Sequence, residues 1–156
     1  MSNIQWEYDL VERPFCEQLQ TMGWAWIEGD LDVPELTERS SFREVILKDR
    51  LSAALAKINL RDGKQWLDDA RIARAIQDLE RAPGHRLMEV NRAATKLLLK
   101  RTVVDGLPDW LNGRPQPVRF IDFDCPLNND FLVINQFKVA LTSGRGQHYP
   151  RCRFVR

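Results

Sequence analysis

Phe120-Ile-Asp-Phe-Asp-Cys-Pro-Leu-Asn-Asn-Asp-Phe-Leu-Val-Ile-Asn-Gln-Phe-Lys-Val139 is the stretch whose reading decides the fold. Together with the preceding Val118 and Arg119, its first residues alternate apolar with polar, although imperfectly. Phe131–Val139 is dense in branched and aromatic side chains. Both compositions suit a pleated, half-buried surface. Between them, Asp124–Asp130 supplies Asp, Pro and Asn, which bend a chain through a fixed φ and through side-chain bonds to the backbone. Read locally, the stretch is a β-hairpin. Two strands alone do not make a stable sheet, so the hairpin is expected to belong to a larger mixed one.

Upstream, the chain reads as helices. Pro14 suits a first helical position, where its missing N–H has no partner to lose. Phe15, Leu19 and Met22 follow on one face, and Gly23 can take the left-handed conformation that ends a helix. Trp24-Ala-Trp-Ile then looks like a short strand running into a loop around Pro34. Ser41-Phe-Arg-Glu44 has the spacing of a capping box, followed by an apolar stripe over Ile46, Leu47, Leu51, Leu55 and Ile58. A third helix is expected over 65–81, with Trp66, Leu67, Ala70, Ala73, Ile76 and Leu79 inward, until Pro83-Gly84 breaks it. A fourth spans about 86–100. Gly106, Pro108, Gly113, Pro115 and Pro117 mark a connecting loop. The fold class expected is therefore α/β (α+β), helices first and a β-hairpin of a mixed sheet after.

Composition narrows the function without naming it. The 156 residues suit one domain, and 44% hydrophobic with 29% charged residues is the balance of a globular chain. Basic and acidic residues nearly cancel, 23 against 22, so contact with nucleic acid would need a local patch. Arg81, Arg86, Arg92, Lys96, Lys100 and Arg101 are the candidate stretch, and a solvated helix face would look the same. No apolar run is long enough for a membrane helix, and no signal peptide is visible. Cys16, Cys125 and Cys152 are odd in number and far apart, which points to a reducing cytoplasm and away from disulfides or structural zinc. Asp62-Gly-Lys lacks the residues of a phosphate-binding loop, so no cofactor site is expected in this chain. His85 and His148 have no partners that suggest nucleophilic catalysis, and the five tryptophans read as core anchors. Asp122 and Asp124, one residue apart on a strand, would share a side and could hold a cation. Turn-forming aspartates are the plainer explanation, as are structural roles for Asn128, Asn129, Asp130, Asn135 and Gln136.

Two segments carry a resemblance. Leu10-Val-Glu-Arg-Pro followed by Leu19 and Met22-Gly-Trp resembles the opening of the N-terminal domain of type I restriction endonuclease R subunits. Phe120–Val139 is similar to that family's I-D-F-x-x-P-x-x-N-D-F-x-x-x-N-Q-F-x-V run. Val45-Ile-Leu-Lys-Asp-Arg-Leu, Ala54-Leu-Ala-Lys-Ile-Asn and Glu89-Val-Asn-Arg-Ala fall between them in the family's order. The resemblance implies a PD-(D/E)xK nuclease-like domain, here incomplete, at the front of an ATP- and Mg²⁺-dependent endonuclease. That endonuclease acts on foreign DNA with methylation and specificity subunits. It also implies that Glu12 matches the family's early catalytic glutamate, a Mg²⁺ ligand. A carboxylate near a helix start, favoured by the helix dipole, is the bland alternative for Glu12.

The pattern breaks after Val139. Arg151 stands where the resemblance calls for a metal-binding aspartate, and no E-x-K follows. A guanidinium is a donor only and repels a cation. Codons permitted for Pro150–Arg156, read one base on, give Pro-Asp-Val-Val-Leu-Phe-Val, which suits a frameshift near 144–150. The expected division is thus a partial nuclease-like domain over 1–140 and an aberrant tail over 141–156. Such a chain should be catalytically silent, its Phe131–Val139 strand left with an unpaired, aggregation-prone edge.

Overall fold

Gly23 closes the first helix as its chemistry predicts, whereas Pro14 does not open it, because helical backbone already precedes it. The computed structural model describes residues 6–140, so the expectations for 141–156, His148 and Arg151 among them, lie outside the described residues. The fold mixes helices with short strands, the α/β class expected, in two compact units. One comprises residues up to Leu47 together with those from Asp130 onward; the other is Lys48–Asn129. No helix of the described residues is long and apolar enough to cross a membrane.

In the first unit, a π-helical turn at Tyr8–Glu12 runs directly into α1, Arg13–Thr21. Gly23, at φ 90°, closes the helix. Its N–H donates to Gln20 O at 2.9 Å and that of Trp24 to Leu19 O at 3.1 Å. Those two bonds form a Schellman motif, which satisfies carbonyls the helix would otherwise leave bare. Strand β1, Ala25–Glu28, follows. Buried Arg39 organises the loop beyond it: Nε donates to Thr37 Oγ1 at 2.7 Å, and Nη1 to Glu44 O and Lys138 O at 3.0 and 2.9 Å. The guanidinium carbon also lies 3.7 Å from the Phe137 ring centroid, a cation–π contact.

The second unit holds α2 (Lys48–Ile58), α3 (Asp69–Glu80), α4 (Leu87–Leu99), β2 (Thr102–Asp105), the single turn α5 (Pro108–Leu111) and β3 (Pro115–Val118). Its core is Leu55, Trp66, Leu67, Ile72, Ala75, Ile76, Val104, Val118 and Phe120, all buried. The stripe read in α2 is present from Leu51 onward. Helix α3 is shorter than expected because Asp68 caps it, accepting from the Arg71 N–H at 2.9 Å. Ala75 faces the core, whereas Ala70 and Ala73 are exposed. Ser41–Glu44 forms a turn and opens no helix; Glu44 instead accepts from the Ser40 N–H at 2.9 Å. Glu89 does cap α4, accepting from the backbone of His85 at 3.0 Å and Arg86 at 3.4 Å.

The expected hairpin is corrected. Strand β4, Leu132–Asn135, pairs in parallel with β1, in the register Ala25↔Leu132 to Glu28↔Asn135. Strand β3 pairs antiparallel with β2, in the register Thr102↔Val118 to Asp105↔Pro115. A parallel pair cannot be closed by a tight turn and needs a long crossover. Strand propensity marks a segment as extended but is silent on its partner. The first expected strand also stops early, at Val118, because the next backbone groups bond to a side chain. Asn59 Oδ1 accepts from the Arg119 N–H at 2.8 Å, and Asn59 Nδ2 donates to Arg119 O at 2.8 Å. Strand β2 was not expected at all. The partner for Phe131–Val139 that the sequence did not disclose is β1, against which Val133 and Ile134 are buried.

Candidate functional site

Glu12 ends the π-helical turn, half-buried, and Gln136 is its partner: Gln136 Nε2 donates to Glu12 Oε2 at 2.5 Å. Gln136 directly follows β4 and sits at φ 53°, a conformation uncommon for a residue with a side chain. Its neighbour Asn135 accepts from Trp26 Nε1 at 2.9 Å. Asn135 and Gln136, expected to satisfy backbone groups, bond instead to side chains of β1 and the helical turn. Single-turn π-helical bulges are frequently placed at functional positions.

Glu28 completes the cluster. It is the last residue of β1, opposite Asn135, and its Oε1 accepts from the Tyr8 hydroxyl. That bond, with burial and the carboxylate charge, pushes the Tyr8 phenol up to about 12. Cys16, fully buried on α1, has its thiol pushed up by burial first and then by the negative charges of Glu12 and Glu28. A thiol so placed stays protonated and is a poor nucleophile. Glu12, Glu28, Gln136 and Tyr8 thus gather at the carboxyl ends of a parallel strand pair. In open α/β sheets that edge is where ligands bind. Sequence reasoning singled out Glu12, gave Gln136 only a structural role, and passed over Tyr8 and Glu28. Glu12 and Gln136 are 124 positions apart, and no spacing rule joins them.

Glu12 offers a carboxylate already held by an amide donor, and no group of three His, Cys, Asp or Glu that could hold a metal ion occurs among the described residues. The described residues alone do not fit a Mg²⁺ centre.

Asp122 and Asp124 share a guanidinium nitrogen, Arg119 Nη1, at 3.2 and 3.1 Å. Beyond β3 the chain bends, and Asp122, 4% exposed, spends its carboxylate on that bend. It accepts from Asn128 Nδ2 at 3.0 Å, from the Cys125 and Asp124 N–H groups at 3.2 Å each, and from Arg119 Nη1 at 3.2 Å. The Asn128 bond first, then the Cys125 N–H, hold its carboxyl below the usual range. Asn129 fastens the same turn, donating to Asp122 O at 2.9 Å. The turn reading of these residues therefore holds.

The six basic candidates, Arg81 to Arg101, are all exposed. Arg92, Lys96 and Lys100 recur at intervals of four along α4, a like-charged spacing that costs a helix stability. Trp66 is a core anchor, and Trp24 meets Phe131 at 5.2 Å between centroids. Trp6 and Trp110 are exposed, against expectation.

Comparison with known proteins now bears on this geometry. No solved structure matches the chain. It is 28% identical over 149 residues to the putative type I restriction enzyme MjaIXP endonuclease subunit of Methanocaldococcus jannaschii. That alignment covers 94% of this chain and 13% of the relative, so the chain spans a small part of the relative's length. The profile of the family described as type I restriction enzyme R protein N terminus matches residues 4–151. The chain belongs to that family, the type I restriction enzyme R protein N terminus.

Proposed function

We propose that the chain serves a type I restriction–modification system in the cytoplasm as the nuclease-like front of its R subunit, with foreign DNA as substrate. The observation that carries the reading is the Glu12–Gln136 bond at the carboxyl ends of β1 and β4. It orients the one carboxylate that matches the family's early glutamate. Methylation and specificity subunits are the partners, and ATP and Mg²⁺ act in the intact R subunit. The chain by itself is catalytically silent, because phosphodiester hydrolysis assisted by a metal needs several acidic ligands and Arg151 occupies one of their positions. Incubating the purified chain with Mg²⁺ and supercoiled plasmid tests this: no nicking is expected, and cleavage abolished by Glu12→Gln would overturn the silence. In a complete R subunit beginning with this chain's fold, the same substitution should abolish restriction without preventing subunit assembly. Restriction that survives it would overturn the role of Glu12.

The exposed basic residues on and around α4 favour a second reading, a non-enzymatic module that binds DNA or another subunit. A mobility shift that weakens steeply with salt and occurs without nicking supports it.

A further inference from the structure

Within the second unit, a cleft of about 420 Å³ has three arginines, Arg61, Arg101 and Arg119, in its lining. Local structure accounts for each. Arg61 is presented by a tight turn, Arg61-Asp-Gly-Lys64, whose central residues lie at φ 49° and 71° and whose ends exchange backbone bonds at 2.9 and 2.8 Å. Asp-Gly is a preferred pair for such a primed turn. Arg101 directly precedes β2 and Arg119 directly follows β3, so the register Thr102↔Val118 brings them to adjacent positions at the strand ends. Like charges set opposite one another cost a sheet stability.

Protein carboxylates offset that cost only in part. Arg119 is anchored, donating to Ile58 O at 3.2 Å, Asp122 Oδ1 at 3.2 Å and Asp124 Oδ2 at 3.1 Å. Arg61 donates to the neutral amide oxygen of Gln116, which leaves its charge uncompensated. Neither Arg61 nor Arg101 forms an ion pair with a described residue. Asn59 lines the cleft with both functions of its amide committed to fixing Arg119, and buried Trp66 closes it at the core. The cleft therefore has a fixed wall, one anchored guanidinium and two uncompensated ones. Guanidinium forks match the oxygens of phosphate in pairs and hold their charge at any physiological pH.

The geometry points to a phosphate-binding cleft for a nucleotide, either within a DNA strand or free, formed by Arg61, Arg101 and Arg119. It rests on the functional reading only for the bearer of the phosphate. The basic residues along α4 other than Arg101 do not enter it.

The test uses the full chain, a short fluorescein-labelled duplex, and adenosine monophosphate as a competing probe. The Arg61→Glu/Arg101→Glu variant is expected to weaken duplex binding by at least about 10-fold and to lower the slope of log affinity against log salt by roughly 2, one unit for each lost phosphate contact. Its far-ultraviolet circular dichroism should match that of the parent, since neither side chain is committed to a carboxylate. Arg81→Glu/Arg86→Glu, outside the cleft, should weaken binding less. Binding of the mononucleotide alone, with the same dependence on Arg61 and Arg101, keeps the site and makes the free nucleotide its ligand. Duplex binding indifferent to Arg61 and Arg101, or binding of neither probe by the parent chain, overturns it. These outcomes are independent of restriction by a complete R subunit with Glu12→Gln, which tests the functional reading and does not involve the cleft.

Discussion

Tyr8 and Asp122 are two titrating groups whose environments have opposite consequences for stability. Tyr8 donates to Glu28, so its neutral form is favoured and its folded pKa of about 12 exceeds the ordinary phenol value of 10.0. A raised folded value means that the stabilisation is complete below pH 10 and disappears as pH climbs through the folded value. Ultraviolet titration should show Tyr8 ionising near 12, and Glu28→Ala should return it towards 10.0; an unchanged curve in that variant would contradict the bond. Asp122 works the other way. Its folded pKa is depressed by the Asn128 and Cys125 donors, so it stabilises the fold above the unfolded value, about 3.9 for an aspartate, and that contribution is lost as pH falls through the folded value. Asp122→Asn should lower the melting temperature at neutral pH and flatten the acid limb of the stability curve. An acid limb identical to that of the parent would remove the assigned role.

At the scale of elements, the β1–β4 pair positions the candidate site, and Gly29 permits its close approach. A Cβ at Gly29 would stand 2.7 Å from Asn135 O and 2.8 Å from Gln136 O, distances at which backbone must move. The Gly29 N–H also donates to Asn135 O at 3.1 Å, so the two segments meet there directly. Gly29→Ala should destabilise by on the order of 1–3 kcal/mol, the usual cost of forcing atoms into a packed site. It should also displace Gln136 from Glu12. Denaturant unfolding gives the first quantity and chemical shifts of the Gln136 side-chain amide the second; a neutral substitution would mean that the strands are not this close. The element-level lesson lies in β4. Its extended nature was legible from branched and aromatic residues, whereas its partner was not, because the hydrogen bonds of a strand carry no address. The nearest segment in sequence was the natural guess, and it was bent away by Asn59 and Asp122.

On the scale of the whole molecule, a buried apolar cluster of nine residues belongs to the second unit, and Leu55 is among its fully buried members. Leu55→Ala removes packed methyl groups and leaves a cavity, a change that costs about 2–5 kcal/mol. Hydrogen exchange should register the loss at core amides of α2 and α3, and protection unchanged there would argue against this core. The two units differ in kind. The second is stabilised by a continuous apolar cluster, whereas the first depends on the parallel pair and on a buried arginine that joins a loop to the end of β4 through two backbone carbonyls.

Sequence alone determined the bodies of α1 to α4, the Gly23 stop, the turn at Asp124–Asp130 and the family, because each is written in local chemistry or in an ordered run of residues. Periodicity, caps and turn residues act over a few positions, and a reader of the chain can see them. Only the tertiary structure decided that β4 lies beside β1, that Gln136 reaches Glu12 across 124 positions, and that Arg61, Arg101 and Arg119 share a cleft. Those arrangements arise from long-range packing and pairing, in which distant segments meet because both bury surface or satisfy backbone groups, and no local pattern records which segments those will be.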